Sequence, residues 1–150
     1  MSVKGSCECQ GVVFELIGEL RDVVFCHCSQ CRKTSGHYWA ATQVSKGNLN
    51  LIKATSLSWY DSSDKARRGF CSVCGSSMFY ERKGIDKISV SAGSLEIPTS
   101  LDRMRHIYVA SKGDYYDISD DLPQFEEYWP KHRAWSTIPL NFVPKASNII

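Results

Sequence analysis

Three cysteines stand close together in the stretch FCHCSQCRKTSG, at Cys26, Cys28 and Cys31, while Cys7 and Cys9 are separated by one residue and Cys71 and Cys74 by two. Thiolates at such spacing are metal-ligand candidates. Zinc takes four of them in a closed structural site, or three with one open position in a catalytic site. The seven cysteines of the chain divide into four plus three. An odd number cannot be fully paired in disulfides within the chain, and a reducing compartment would keep the thiols free in any case. A lone cysteine is ordinarily a small buried hydrophobe. Core cysteines would be scattered, however, and these form three clusters with none in the second half of the chain. One structural zinc with three spare thiols is the plainer alternative to two metal sites.

Spacing alone leaves two partitions open. Side chains alternate along a strand, so each Cys-x-Cys pair can present both thiols on one face. Each Cys-x-x-Cys pair (Cys28/Cys31 and Cys71/Cys74) can wrap a metal in a tight turn, and Gly75 after Cys74 suits such a turn. Joining the two Cys-x-x-Cys units closes a site of Cys28, Cys31, Cys71 and Cys74 and leaves Cys7, Cys9 and Cys26 over. The other partition closes Cys7, Cys9, Cys71 and Cys74 and leaves Cys26, Cys28 and Cys31 as the open site. Local grounds favour the second, because one short segment can deliver all three ligands of an open site. The closed site would then staple the N-terminus to a distant hairpin, a contribution to folding on the order of 10 kcal/mol.

The elements that must position these groups read as mostly antiparallel β. Segments rich in β-branched and aromatic residues recur between Gly, Ser, Asp and Asn: GVVFELI, DVVFC, YWAATQV, NLNLI, LSWYD, RRGFC, SMFYE, KISVSAG and RHIYVAS. In the first, Val12, Phe14 and Leu16 alternate with Val13, Glu15 and Ile17, the pattern of a strand with one face more apolar than the other. Helical candidates are short: a turn after Cys28 with Ser29 as its cap, and LPQFEEYW near residues 122–129. All five prolines (Pro98, Pro123, Pro130, Pro139 and Pro144) lie in the C-terminal third, which reads as a loop-rich cover, with a tail VPKASNII expected to fray.

The length of 150 residues fits a single domain, 1–150. A net charge of +2 without a basic block argues against a dedicated nucleic-acid binder. No apolar run approaches the roughly 18 residues of a membrane span, and the opening MSVKGSCECQG lacks the pattern of a signal peptide, so a soluble, cytoplasmic protein is expected.

The ordered series GSCEC with VFE, CHCSQCRKTSG, RRGFCSVCGSSMFY, SVSAGSLEIP and RHIYVASKGDYY resembles the glutathione-dependent formaldehyde-activating family, which includes centromere protein V. The resemblance runs from residue 5 to about 128. It implies a zinc-binding β-tent fold and carbon–sulfur lyase chemistry, the condensation of formaldehyde with glutathione to S-(hydroxymethyl)glutathione. By position it assigns Cys7, Cys9, Cys71 and Cys74 to a structural zinc and Cys26, Cys28 and Cys31 to a catalytic one, so two zinc ions per chain are expected. One departure stands near the first pair: the family often has Gly directly after the Cys-x-Cys, and here it is Gln10, with Gly11 next.

Within that resemblance, the open position is the place for a small thiol such as glutathione, whose thiolate would attack a small carbonyl. Three thiolates and Zn²⁺ sum to −1 and a fourth thiolate makes −2, so nearby cations are required. Candidates are His27, Arg32, Lys33, His37, Arg67 and Arg68; the last two, adjacent on a strand, must point to opposite faces. Glutathione has two carboxylates, which an arginine can bind bidentately. His27 is expected to point away from the metal, while His37 and His106 are acid–base candidates that nothing in the spacing singles out. Ser94, Tyr38 and Trp39 are candidates for a pocket wall, with core packing their ordinary role. The rival from another class is a non-catalytic zinc module for a protein or nucleic-acid partner; a third reading is a redox-responsive thiol cluster.

Overall fold

The computed structural model describes residues 2–128. Ten strands carry the fold: β1 (Ser2–Ser6), β2 (Val12–Ile17), β3 (Arg21–Cys26), β4 (Trp39–Val44), β5 (Leu49–Ala54), β6 (Leu57–Ser63), β7 (Ala66–Cys71), β8 (Ser77–Arg82), β9 (Ile88–Ser91) and β10 (Arg103–Ile107). The α-helix α1 (Ser29–Ser35) and three short 3-10 turns complete the described elements. The chain is mainly β, as its alternating segments imply. It falls into two compact units, one made of the described residues up to Val23 with Ala40–Asp102, the other of Val24–Trp39 with the described residues from Arg103 onward.

The first unit contains a three-stranded antiparallel sheet in the order β1-β2-β5, and a run of antiparallel strands in the order β4-β9-β8-β7-β6. Its core follows the alternation of β2. Val12, Phe14 and Leu16 are fully buried, while Ile17 at the strand end is exposed. Phe14 meets Phe79 of β8 edge to face at 5.2 Å, and Trp59 of β6 stacks on Phe79 at 5.9 Å, arrangements that suit the ring quadrupoles. β1 alternates too, but Val3 is its one apolar side chain. Its Gly5, ordinarily a poor strand residue, is required by packing, because a Cβ there would run into the Phe14 ring.

In the second unit β10 lies beside β3, and the His27 N–H beyond the end of β3 donates to the Ile107 carbonyl at 2.9 Å. The helix expected near residues 122–129 is not formed over its described residues, 122–128. Their backbone is spent on β10 and the residues after it. His106 N–H donates to Pro123 O, Phe125 N–H to His106 O, and Val109 N–H to Phe125 O. A helix would need those same groups for its own ladder. Pro130, Pro139, Pro144 and the tail VPKASNII lie outside the described residues. No helix among the described residues is long and apolar enough to cross a membrane.

Candidate metal centres

The first centre is built by three turns of the first unit. The β1–β2 turn supplies Cys7 and Cys9, closed by Cys7 N–H to Val12 O at 2.9 Å and Gln10 N–H to Cys7 O at 3.1 Å. Gln10 takes a left-handed conformation with φ 58°, the backbone that a glycine adopts most readily. The β7–β8 turn supplies Cys71 and Cys74; Gly75, at φ 76°, donates its N–H to Cys71 O. Neither Cys-x-Cys pair lies within a strand. Cys7 and Cys9 stand on a turn, and Cys26 ends β3 while Cys28 begins the next element, so strand alternation is not what brings each pair together.

The sulfurs of Cys7, Cys9, Cys71 and Cys74 all lie within 4.8 Å of one another, with Cys7–Cys9 and Cys9–Cys71 at 3.6 Å. Zn–S bonds of about 2.3 Å at tetrahedral angles put ligand sulfurs about 3.8 Å apart, so the four thiols fit a zinc ion. Polar hydrogens stand beside three of the four sulfurs. Val12 N–H points at Cys7 Sγ (3.2 Å), Ser56 Oγ lies 3.0 Å from Cys71 Sγ, and Ser76 Oγ lies 3.2 Å from Cys74 Sγ. The Ser76 hydroxyl, followed by backbone N–H groups, brings the Cys74 thiol down to about 5. The Cys71 thiol is lowered by the Cys74 N–H and the Ser56 hydroxyl. At Cys9 the Gly11 N–H also favours the thiolate, but desolvation and the neighbouring sulfurs outweigh it and push the thiol up to about 12. Four sulfurs this close cannot all carry charge without a cation among them.

Ser56 is the part of this centre that spacing gives no sign of. It sits on the β5–β6 turn, its N–H reaches Gly11 O, and its carbonyl takes the N–H and hydroxyl of Ser72. Gly11 is required here for close approach, since a Cβ would collide with the Ser56 hydroxyl.

The second centre lies wholly in the second unit. The sulfurs of Cys26, Cys28 and Cys31 are also within 4.8 Å of one another. Cys26 ends β3, Cys28 caps α1, and Cys31 lies in the first turn of the helix. The helix cap is Cys28 rather than Ser29: the Cys28 sulfur accepts the Cys31 N–H at 3.3 Å. Gly36 closes the other end at φ 82°, and Arg32 and Lys33 in the last turn suit the negative end of the helix dipole. Contact with Cys28 and Cys31, then burial, pushes the Cys26 thiol up.

Around this segment stands a group of rings: His27, His37, Tyr38 and Tyr116, with ring centres 4.2 to 5.9 Å apart. His27 is fully buried, bonded through Nδ1 to the Tyr116 hydroxyl at 2.5 Å and through Nε2 to His106 Nδ1 at 2.8 Å. His106 Nε2 reaches the Asp120 carboxylate at 3.0 and 3.2 Å. Burial, then the positive groups nearby, lowers His27 to about 4, which disfavours a role as a compensating cation. Burial alone would raise Asp120, but the Leu122 N–H, His106 and Arg103 more than offset it and leave its pKa below the ordinary value. Arg32 Nε donates to Ser111 O, and Lys112 Nζ lies 4.9 Å over the Tyr116 ring. The sequence offers His106 as an acid–base candidate and gives no sign of Tyr116 and Asp120, since nothing in their spacing ties any of the three to Cys26–Cys31.

The remaining candidates have other partners. Arg67 pairs with Glu81 at 2.6 Å and lies over Trp59, Arg68 is buried with its guanidinium 5.0 Å from the Tyr80 ring, and Ser94 Oγ donates to Ser91 O.

The family model of the glutathione-dependent formaldehyde-activating enzyme matches residues 2–111, and the match takes in all seven cysteines. The chain belongs to this family. A crystal structure of a Rhodobacter sphaeroides protein, a structural-genomics target, is similar to this family member with a TM-score of 0.53 and 27% identity, over 62% of this chain and 87% of that one. No curated protein matches. Tyr116 and Asp120 lie beyond the residues that the glutathione-dependent formaldehyde-activating model covers.

Proposed function

We propose that this chain is a zinc-dependent carbon–sulfur lyase that joins a small thiol, glutathione being the type, to formaldehyde or another small carbonyl, and cleaves the same adduct. Cys26, Cys28 and Cys31 would hold the catalytic zinc, and Cys7, Cys9, Cys71 and Cys74 a structural one. The observation that carries this reading is the difference between the two sulfur groups: four thiols in one, and three in the other with no fourth His, Cys, Asp or Glu ligand atom grouped with them among the described residues. Three protein ligands leave one position for substrate.

Zinc in that centre would supply a positive charge that favours the thiolate form of an incoming thiol, whose ordinary pKa is about 8.5. In the bond-forming direction the sulfur gives an electron pair to the carbonyl carbon, the C=O π pair moves to oxygen, and the oxygen takes up a proton to balance the one lost from the thiol. Cleavage reverses each step. The chain sets the direction of approach: Cys31 and Cys26 are 2% and 9% exposed, whereas Cys28 is only partly buried, so substrate arrives on the Cys28 side. Arg32, next to Cys31 in the chain and with its Nε on Ser111 O, is a candidate cation to offset the added thiolate charge.

The test is adduct formation between formaldehyde and glutathione followed by proton NMR exchange, with the parent and Cys28→Ser compared. Faster exchange that disappears in Cys28→Ser is the expected result. A parent no faster than buffer with formaldehyde and with other small carbonyls would overturn the reading.

A further inference from the structure

We propose that Asp120, His106 and Tyr116 are positioning residues for the three-cysteine centre: a one-way chain of hydrogen bonds, anchored on the Asp120 carboxylate, fixes the His27 ring and through it the direction of the Cys26 and Cys28 sulfurs. This rests on the reading of Cys26, Cys28 and Cys31 as a metal centre.

The direction of the chain follows from what each group can do. A carboxylate only accepts, so His106 Nε2, 3.0 Å from Asp120 Oδ1, must carry a hydrogen. In a neutral ring His106 Nδ1 is then an acceptor, and its partner at 2.8 Å, His27 Nε2, must donate. That leaves His27 Nδ1 as an acceptor for the Tyr116 O–H at 2.5 Å. Every ring nitrogen of the two imidazoles has a partner, and both rings are buried, at 0% and 4% exposure. With both rings neutral, the directions of the three bonds are set together.

Both ends of the chain are held. Asp120 also accepts from Leu122 N–H at 3.1 Å and lies 3.7 Å from Arg103 Nη1. At the other end Lys112 Nζ donates to the Tyr116 carbonyl. The backbone repeats the connection, with His27 N–H on Ile107 O and His106 N–H on Pro123 O. His27 is the single residue between Cys26 and Cys28, so a ring that cannot turn limits the rotation of the backbone on both sides. Groups that hydrogen-bond a metal ligand directly orient it, and their loss costs about 10- to 100-fold in metal affinity; here the chain acts one residue removed, through His27.

Asp120 is the residue to change, because its side chain is 29% exposed while the two histidines are core residues. Zinc is left in the four-cysteine centre, and cobalt(II) is titrated into the other while thiolate-to-cobalt absorption is followed. Asp120→Asn, whose amide can donate to His106 and so reverse the chain, should weaken cobalt binding about 10- to 100-fold. Tyr116→Phe should shift it the same way, Asp120→Glu should restore most of the loss, and zinc in the four-cysteine centre should be unchanged. In the parent, nitrogen-15 NMR should show both rings protonated on Nε2. Parent-like cobalt affinity in Asp120→Asn, or the opposite tautomers in the parent, would overturn the proposal. So would a loss shared by both centres, which would mean general unfolding. A parent that takes up no cobalt beyond its four-cysteine zinc would overturn the reading of the centre itself, and the proposal with it.

Discussion

Cys28 has two roles that one substitution separates. Its sulfur caps α1 by accepting the Cys31 N–H, and the same sulfur belongs to the three-thiol group. Serine caps a helix well but is a poor zinc ligand. Cys28→Ser should therefore keep the circular dichroism and melting temperature of the parent within about 1 kcal/mol of stability, lose one zinc, and reduce carbon–sulfur exchange to the buffer rate. Gln10 offers a test in the opposite sense. Its left-handed backbone costs an ordinary residue about 1 kcal/mol, so Gln10→Gly should be neutral to stabilising by up to about 1 kcal/mol in thermal unfolding, and a clear loss would contradict the account of that turn. A third residue links charge to pH. Partial burial raises the Glu81 carboxyl, but Lys46 and Arg67, each at 2.6 Å, outweigh it and hold its pKa below the ordinary value. The unfolded chain then binds the extra proton first, so this contribution is present above the ordinary carboxylate pKa and is lost as pH falls through the folded one. Glu81→Gln should lose about 1 kcal/mol at pH 7 and less near pH 3, measured by urea unfolding at both.

Among the elements, turns carry the four-cysteine centre and strands only deliver them. The strand pattern was legible wherever apolar and polar residues alternate, as in β2, or where aromatic or β-branched residues cluster, as in β3 and β8. β1 was not, because Ser, Lys and Gly hide a strand whose Gly5 exists to make room for Phe14. The segment 122–128 misled in the other direction: its composition suits a helix, but tertiary hydrogen bonds to His106 and Val109 claim its backbone. The cysteine clusters announced themselves by spacing, whereas their supports did not. Ser56 is separated from Cys71 by 15 positions and His27 from His106 by 79, and contacts of that kind leave no periodic trace. Ser56→Ala tests the element-level claim that the β5–β6 turn belongs to the centre. Loss of the hydroxyl beside Cys71 Sγ should cost about 1 kcal/mol and raise the rate of zinc loss to a chelator; an unchanged rate would reduce Ser56 to a turn residue.

At the scale of the molecule, each group of sulfurs is made by residues of a single compact unit, so the two centres answer to different parts of the chain. The four-cysteine centre ties residues near the N-terminus to the β7–β8 turn, and its metal should act as folding free energy for the first unit, on the order of 10 kcal/mol. The three-cysteine centre lies on a seven-residue helix and a strand end, and its metal should leave with less effect on the fold. Zinc stoichiometry tests this division most directly: elemental analysis of protein purified without chelator, repeated after incubation with glutathione and desalting. Two zinc ions per chain, one of them made labile or displaced by the thiol while the fold persists, is the predicted result. One tightly held zinc, indifferent to glutathione, would contradict it.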